Sequence, residues 1–371
     1  MPGFKNASIY VHGRGIIKTD LAYENGIITK IGRINDPSLI SLNDDEIVVP
    51  GFIDEHIHGC SGHDVMEASL EGLQTIADSL LKEGVTAFCP TTMSMSEKEI
   101  NAALKTIATF KAKQTSGATI LGAHVEGPFL STHFHGAQDE KYLLDCNKDV
   151  LKEFITSADD QIRILTFAPE RKGEQILPLL LEHKITPSLG HSNASGDEAK
   201  AAFEQGASCL THCYNAMRGL HHRDVGLLGA GLLNDQVYAE LIADLKHVSP
   251  DAIRLLFKVK GKEKIVLVSD SMEAKYLPEG NYELGGQKVI VKDNAARLEN
   301  GVLAGSVLRL DHALKNIHEV MPDLTLTDLI DLVTLNPAKN LSLTNRGAIK
   351  VGHVASFTII RKDFSVVKAI V

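Results

Sequence analysis

Short apolar runs alternate with amphipathic segments through the middle of the chain. The runs share a nearly continuous hydrophobic character, and they are GFIDEHIH, GVTAFCPTT, ILGAHVEGP, IRILTFAPE, ITPSLGHS, ASCLTHCYNAM, VYAELIAD and KIVLVSDS. Between most of them lie patterns typical of helices, such as SLEGLQTIADSLLKEG, SEKEINAALKTIATFKAK and GDEAKAAFEQG. This alternation predicts an α/β fold in which helices cover a buried parallel sheet.

Eight such runs predict a (β/α)8 TIM-type barrel. The open doubly wound sheet is the alternative, but it normally carries a glycine-rich phosphate-binding turn, and the sequence has no such motif. We expect the barrel to occupy residues 50–341, with an inserted β-hairpin near residues 283–305.

The two ends of the chain have a different pattern. Residues 1–49 contain short stretches rich in β-branched residues, with Asn25-Gly26 as a hairpin turn signal. Residues 342–371 have the same character. We therefore predict a small β-sandwich domain that is built from both termini.

Composition and charge exclude some classes of partner. The chain has 371 residues, 44% of them hydrophobic, which is ordinary for a folded protein. A net charge of −9 leaves no basic surplus to neutralise phosphates, so we expect neither a nucleic acid nor a membrane surface as partner. A small anionic substrate remains compatible, because one or two local cations can bind it.

The cysteines and the N-terminus indicate a cytoplasmic protein. The scattered cysteines form no C-x-x-C pair and suit reduced thiols; they are Cys60, Cys89, Cys146, Cys209 and Cys213. Cys209 and Cys213 are alternative metal ligands, but we interpret them as buried thiols. The N-terminus lacks the basic and apolar regions of a signal peptide, and no apolar run reaches the roughly 20 residues of a membrane span.

Residues that can bind a metal or carry a proton stand at the ends of five runs. They are His56 and His58 in the first run, Glu126 in the third, His191 in the fifth, His212 in the sixth and Asp270 in the eighth. In a barrel, the chemistry lies at the C-terminal ends of the strands. The two-residue period of a strand places His56 and His58 on one side, and imidazole and carboxylate are ligands for zinc, iron or manganese.

Each of these residues has a structural alternative. A strand-end histidine can be a hydrogen-bonded core residue, Asp270 can cap the segment that follows it, and Glu126 can belong to a loop. The joint pattern favours a metal site, because structural polar residues need not collect at corresponding ends of separate strands. Other histidines lie away from strand ends and keep the structural interpretation; they are His12, His183, His312, His318 and His353. The LHHRD stretch at residues 220–224 we interpret as a loop, one member of which is a candidate substrate contact.

Six motifs in this order, PGFIDEHIHG, HVEGPF, LGHS, THCYNAM, VSDSM and LAGS, resemble the amidohydrolase superfamily and, within it, the family of N-acetylglucosamine-6-phosphate deacetylases. The resemblance covers essentially the whole chain. An H-x-H pair alone is weak evidence, whereas HVEGPF together with THCYNAM is specific. Hydantoinases and dihydroorotases of the superfamily place a carboxylated lysine where this chain has Glu126, which counts against them.

The resemblance implies a metal centre. Glu126, His191 and His212 would hold the principal metal, and His56 and His58 would hold a second with Glu126 as the bridge. The cofactor would be a divalent transition metal (Zn, Fe, Mn or Co), with one or two ions per subunit. Some family members lack the H-x-H pair and work with one metal, so the number of ions stays open.

The resemblance also implies a set of substrate contacts, which are Ala137, Gln138, Asn215, Ala216, Arg223, His247, Leu303, Ala304 and Gly305. Arg223 and His247 would hold a phosphate, since a guanidinium offers paired donors to that anion. Some relatives carry histidine at the position of Gln138, which leaves the role of this glutamine open.

The implied reaction is the deacetylation of N-acetyl-D-glucosamine 6-phosphate to D-glucosamine 6-phosphate and acetate, a step of amino-sugar catabolism. A metal-activated water would attack the amide carbonyl, with Asp270 as general base and then general acid. The family also implies a homodimer. The alternatives are another amidase or deacetylase of the superfamily, and a non-catalytic barrel that binds a partner.

Overall fold

The computed structural model describes residues 2–371. The strands are β1 (Gly3–Val11), β2 (Gly15–Glu24), β3 (Ile27–Ile31), β4 (Ile47–Pro50), β5 (Phe52–Ile57), β6 (Gly59–Cys60), β7 (His63–Asp64), β8 (Val85–Pro90), β9 (Thr119–Ile120), β10 (Ala123–Glu126), β11 (Ile162–Phe167), β12 (Thr186–Leu189), β13 (Cys209–Leu210), β14 (Tyr238–Leu241), β15 (Ile265–Leu267), β16 (Gly280–Leu284), β17 (Gln287–Lys292), β18 (Ala295–Leu298), β19 (Phe357–Ile360) and β20 (Val366–Ile370). The α-helices are α1 (Leu70–Leu80), α2 (Glu97–Lys113), α3 (Lys148–Ser157), α4 (Leu177–Glu182), α5 (Gly196–Glu204), α6 (Gly226–Leu233), α7 (Pro250–Lys260), α8 (Leu310–Val320), α9 (Leu326–Asp331) and α10 (Leu335–Asn340).

Parallel strands form the centre of the molecule. Strands β10 to β15 pair in chain order as one parallel sheet, and β5, β8 and β9 form another. Isolated parallel bridges join Thr91 to His124 and Ile57 to Ser271, at the two seams between these sheets. Each of the eight predicted runs contains a strand of this set, so the chain has an α/β fold and its strand ends lie side by side.

Both termini contribute to a separate mixed sheet. Within residues 2–371 its order is β20-β19-β4-β1-β2-β3, with β4 parallel to β1 and antiparallel to β19. The hairpin between β2 and β3 turns at Asn25 and Gly26, where the sequence predicts it. The rings of Phe4 and Phe357 meet edge to face, with centroids 5.6 Å apart, in a hydrophobic cluster shared by both ends of the chain.

The helices begin where capping residues stand and bury one apolar face. At the start of α2, the Ser96 side-chain oxygen accepts a hydrogen bond from the Glu99 N–H, and the Glu99 carboxylate accepts one from the Ser96 N–H. Ile100, Leu104 and Ile107, at helical spacing, are buried in the main hydrophobic core. No helix within residues 2–371 is both long and apolar enough to cross a membrane.

An antiparallel meander, β16 to β18, follows the last parallel strand. It occupies residues 280–298 and has a third strand, whereas the sequence predicts a hairpin near residues 283–305. Leu284 and Val289 of the meander pack in one cluster with Met93 and Met272, which lie after β8 and β15. The meander therefore covers one side of the region where the parallel strands end.

Candidate metal centre and active site

Glu126, the last residue of β10, lies among four buried histidines of the described chain. Its Oε1 atom is 3.1 Å from His212 Nε2 and 3.3 Å from His191 Nε2. Oε1 is also 3.5 Å from His56 Nε2, and Oε2 is 3.3 Å from His58 Nε2. Imidazole and carboxylate are the ligand types that a divalent metal takes, so Glu126 is placed to share an ion with any of these histidines.

Asp270 belongs to the same cluster. Its Oδ1 atom lies 3.2 Å from His58 Nε2 and 3.5 Å from His56 Nε2. The residue is buried but lines the cavity described below. The six residues that the sequence places at strand ends are thus brought together.

Backbone strain accompanies this convergence. His191, His212 and Asp270 each follow the end of a strand by two or three residues, and their φ angles are +48°, +31° and +48°. A non-glycine residue in this region costs on the order of 1–3 kcal/mol and persists only where its surroundings hold it. The Asp270 N–H donates to His56 O at 2.9 Å, and the His212 N–H donates to Glu240 Oε2 at 3.0 Å.

The donor atoms fit a divalent transition metal. The Nε2 atoms of His191 and His212 lie 3.0 Å apart. His191 Nδ1 donates to the carbonyl oxygen of Phe134 at 2.9 Å, so its Nε2 carries the lone pair in the neutral ring. Imidazole lone pairs and a carboxylate that face one another at this distance, shielded from solvent, form a ligand set for a cation.

The electrostatics of the cluster favour positive charge. Burial by itself lowers the pKa of His58, but Asp270 and Glu126 outweigh it and raise this pKa to about 9. Burial by itself raises the pKa of Asp270, but His56 and His58 lower it to about 2. Burial by itself raises the pKa of Glu126, but His56, His191 and His212 hold it well below its usual range. Protons and a metal ion would therefore compete for the same lone pairs.

A cavity of about 300 Å³ opens at the strand ends beside this cluster. Its volume is at the small end of the range for ligand pockets, about 300–1,000 Å³. The predicted site residues that line it are His58, Glu126, Ala137, Gln138, His191, His212, Asn215, Ala216, His247, Asp270, Leu303 and Gly305. One predicted ligand, His56, is wholly buried behind them.

Two predicted substrate contacts lie elsewhere. Arg223 is exposed, and its Nη1 atom is 2.8 Å from His222 Nε2, outside the residues that line the cavity. Ala304 is fully buried behind Gly305, with its N–H bonded to Ala296 O at 3.0 Å. Within residues 2–371, neither lysine nor arginine lines the cavity of this single chain.

Gln138, whose role the sequence leaves open, contacts the cluster directly. Its Nε2 donates to Glu126 Oε2 at 2.9 Å, and its Oε1 accepts the Ser94 N–H at 2.7 Å. The backbone donor fixes which end of the amide faces the carboxylate. Gln138 therefore orients Glu126 as well as lining the cavity.

Several residues of the site were not predicted from the sequence. They are the cavity residues Met93, His133, Phe134, Gly136, Ile242, Leu284 and Val302, together with the buried Glu240 and His124. Glu240 bonds to His56 Nδ1 at 2.9 Å, and the rings of His124 and His56 are 4.5 Å apart. A carboxylate inside the apolar run VYAELIAD was a signal for Glu240 that the sequence reasoning did not use.

Comparisons with known proteins identify similar sequences and a similar fold. N-acetylglucosamine-6-phosphate deacetylase of Lysinibacillus sphaericus is 39% identical over 316 residues, which are 85% of this chain and 81% of that protein. N-acetylgalactosamine-6-phosphate deacetylase of Escherichia coli O157:H7 is 36% identical over 338 residues, which are 91% and 89% of the two chains. The crystal structure of N-acetylglucosamine-6-phosphate deacetylase from Thermotoga maritima matches with a TM-score of 0.91 at 34% identity, over 99% and 97% of the two chains.

The family model of the amidohydrolases matches residues 47–371. The match includes every strand of the two central parallel sheets and the six clustered residues described above. It confirms the resemblance that the motifs predict. The chain belongs to the amidohydrolase family.

Proposed function

We propose that this chain is a metal-dependent hydrolase that converts N-acetyl-D-glucosamine 6-phosphate to D-glucosamine 6-phosphate and acetate. The observation that carries the proposal is the carboxylate of Asp270, which lies 3.2 Å from the ligand atom of His58 at the edge of the cavity. The names of the relatives and of the structural neighbours support this substrate over other amides of the superfamily.

The cluster offers two adjoining subsites for metal ions, which share Glu126. The primary subsite is Glu126, His191 and His212, and the H-x-H subsite is His56, His58 and Glu126; in each set, one donor atom per residue lies within 4.8 Å of the others. The chemistry that these residues would gain from a divalent ion is a water of lowered pKa and a Lewis acid for an acyl oxygen. Zinc, iron, manganese and cobalt all suit such ligands.

Asp270 would move the proton. Its carboxylate lines the cavity beside the cluster, so it can accept the proton of an attacking water. It would then deliver that proton to the amine that leaves. Burial of the cluster keeps bulk water away from this transfer, which strengthens the interaction of Asp270 with the reacting atoms.

The substrate would lie in the cavity with its acetamide toward the cluster. The predicted contacts that line the cavity are Ala137, Gln138, Asn215, Ala216, Leu303 and Gly305. Ala304 lies between Leu303 and Gly305, but its side chain is buried and would support these two residues without contacting the substrate.

His247 is the side chain of this cavity that would donate a hydrogen bond to the phosphate of the substrate. Its Nδ1 atom pairs with Asp244 Oδ2 at 2.7 Å, which fixes the ring and leaves Nε2 for a ligand. We propose that Arg223 joins it from a second copy of the chain, in the homodimer that the family resemblance implies. The exposed position of Arg223, outside the cavity of its own chain, supports a contribution across an interface.

We extend the proposal to the fold and the compartment. Residues 50–341 would form a closed (β/α)8 barrel, and residues 1–49 and 342–371 a small β-sandwich domain. The bridges at both seams of the parallel sheets and the shared terminal sheet support this division. A cytoplasmic location is supported by the five cysteines, all of them buried and unpaired thiols among the described residues.

The 4-epimer of the substrate is the second candidate, because a 36% identical relative is named N-acetylgalactosamine-6-phosphate deacetylase. Release of acetate from the two N-acetylhexosamine 6-phosphates, from N-acetyl amino acids and from unphosphorylated N-acetylglucosamine separates the possibilities. We expect the highest kcat/KM for N-acetylglucosamine 6-phosphate. A preference for the galactose epimer would assign the second function, and a preference for an unphosphorylated amide would reject both.

A further inference from the structure

We infer that Glu240 is a positioning residue, which holds His56 as a metal ligand and thereby sets the affinity of the H-x-H subsite for its ion. This role of Glu240 rests on the metal centre proposed above. Glu240 is in neither set of ligands, and it lies in β14 with its side chain completely buried.

One oxygen of Glu240 fixes the His56 ring. Oε2 lies 2.9 Å from His56 Nδ1 and 3.0 Å from the backbone nitrogen of His212. Because a backbone N–H can only donate, Oε2 acts as an acceptor, and His56 Nδ1 carries the hydrogen. The Nε2 atom of the neutral ring then presents a lone pair.

That lone pair faces the metal ligands. His56 Nε2 lies 3.4 Å from His58 Nε2, 3.5 Å from Glu126 Oε1 and 3.5 Å from Asp270 Oδ1. With the other tautomer, a hydrogen on Nε2 would point into this group and block an ion. A carboxylate behind a ligating histidine fixes both the ring orientation and the tautomer.

The two subsites depend on Glu240 to different degrees. The turn that carries His212 has a second anchor, since the Cys213 N–H donates to the Glu240 carbonyl oxygen at 2.8 Å. This backbone bond survives any change of the Glu240 side chain. Nδ1 of His56 has only the Glu240 carboxylate as a partner among the described residues. Loss of that carboxylate should therefore weaken the H-x-H subsite more than the primary one.

Substitution of Glu240 tests this difference. Glu240→Leu removes both hydrogen bonds at similar volume, whereas Glu240→Gln keeps an oxygen that can accept them. Glu55→Gln is the matched control, because Glu55 is an equally buried carboxylate of the same interior group, but its Oε1 accepts from Asn340 Nδ2 at 2.7 Å. Metal ions per chain would be counted by mass spectrometry during titration against a competing chelator.

We expect Glu240→Leu to bind the ion of the H-x-H subsite about 10- to 100-fold more weakly. The primary subsite should change much less, and Glu240→Gln and Glu55→Gln should stay close to wild type. Unchanged affinity in Glu240→Leu, or an equal loss in Glu55→Gln, would overturn the role of Glu240. If the wild-type chain binds only one ion and still releases acetate, the role of Glu240 in the H-x-H subsite is overturned but the proposed function stands. Wild-type protein that binds no ion would reject both.

A second measurement covers the case in which Glu240→Leu does not fold. The side-chain ¹⁵N spectrum of histidine-labelled, zinc-loaded wild-type protein reports the tautomer of each ring, and His56→Gln identifies the His56 signals. We expect hydrogen on Nδ1 and metal on Nε2. Hydrogen on Nε2, or metal on Nδ1, contradicts the positioning role.

Discussion

His58 Nε2 lies 3.2 Å from Asp270 Oδ1, although His58 follows the first parallel strand and Asp270 follows the last. The parallel bridge between Ile57 and Ser271 brings these two strand ends together. A candidate metal ligand and a candidate proton carrier therefore share one edge of the cavity. This contact links the fold to the proposed reaction.

Asp270→Asn should abolish most turnover and leave the metal bound. An amide of the same shape cannot accept a proton, and general base catalysis contributes typically about 10²- to 10⁴-fold. We expect kcat to fall by that order, with metal content near wild type. Acetate release and metal analysis on the same sample check both parts. Turnover close to wild type would exclude Asp270 from the proton transfer.

His56→Gln combined with His58→Asn should remove one ion per chain and keep the other. The primary subsite does not include either ring, and Glu126 remains available to it. We expect metal analysis to show one ion fewer and acetate release to fall. If the double variant keeps the wild-type metal content, these histidines are hydrogen-bonded core residues and not metal ligands.

Arg223→Ala should raise KM for the 6-phosphorylated sugar by roughly 10- to 100-fold, the loss expected for a hydrogen bond to a charged group. The unphosphorylated sugar should be affected much less. Arg254→Ala is the control, since Arg254 is also exposed but pairs with Asp251 on α7. Equal losses on both sugars would remove Arg223 from phosphate binding.

Mixing variants tests whether Arg223 acts across an interface. Chains with Arg223→Ala and chains with Asp270→Asn each lack one function, and co-expression with different tags isolates their heterodimers. If Arg223 serves the site of the other chain, one site of each heterodimer is complete and kcat/KM recovers in part. No recovery would place Arg223 in the site of its own chain.

Lys260 should make stability depend on pH in the alkaline range. Burial lowers the pKa of its ammonium from 10.5 to about 8. The Nζ atom donates hydrogen bonds to the carbonyl oxygens of Gly231, at 3.1 Å, and Asn234. Between these values the unfolded chain keeps a proton that the folded chain has lost, so folding is favoured as pH rises. The unfolding free energy of wild type minus that of Lys260→Met, measured in urea, should therefore increase from pH 8 to 10.5. A constant difference would contradict the shift.

The strands were predictable because buried parallel strands have a recognisable composition, but their ends were not. The run ASCLTHCYNAM holds only the two-residue strand Cys209–Leu210. The backbone leaves the extended conformation soon afterwards, with His212 at a φ of +31°. That turn is stabilised by Glu240 in the next strand, a distant contact that a local hydrophobic pattern does not contain.

The convergence of the strand-end histidines and carboxylates was predictable to the same extent and for a similar reason. Strand ends of a parallel sheet meet at one edge, so the sequence alone places His191 close to Glu126. The contact between Gln138 and Glu126 depends on how the loop after β10 folds back, which no periodicity encodes. The exposed position of Arg223 outside the cavity also has no signature in the sequence, since a motif does not reveal how its loop folds.

Removal and return of the metal, followed by acetate release from N-acetylglucosamine 6-phosphate, tests the central proposal most directly. Protein purified without a chelator should carry a divalent transition metal held by Glu126, His191 and His212. Chelation should abolish acetate release, and addition of zinc, iron, manganese or cobalt should restore it. Full acetate release from protein without metal would contradict the account. The absence of acetate release after the metal is restored would contradict it as well.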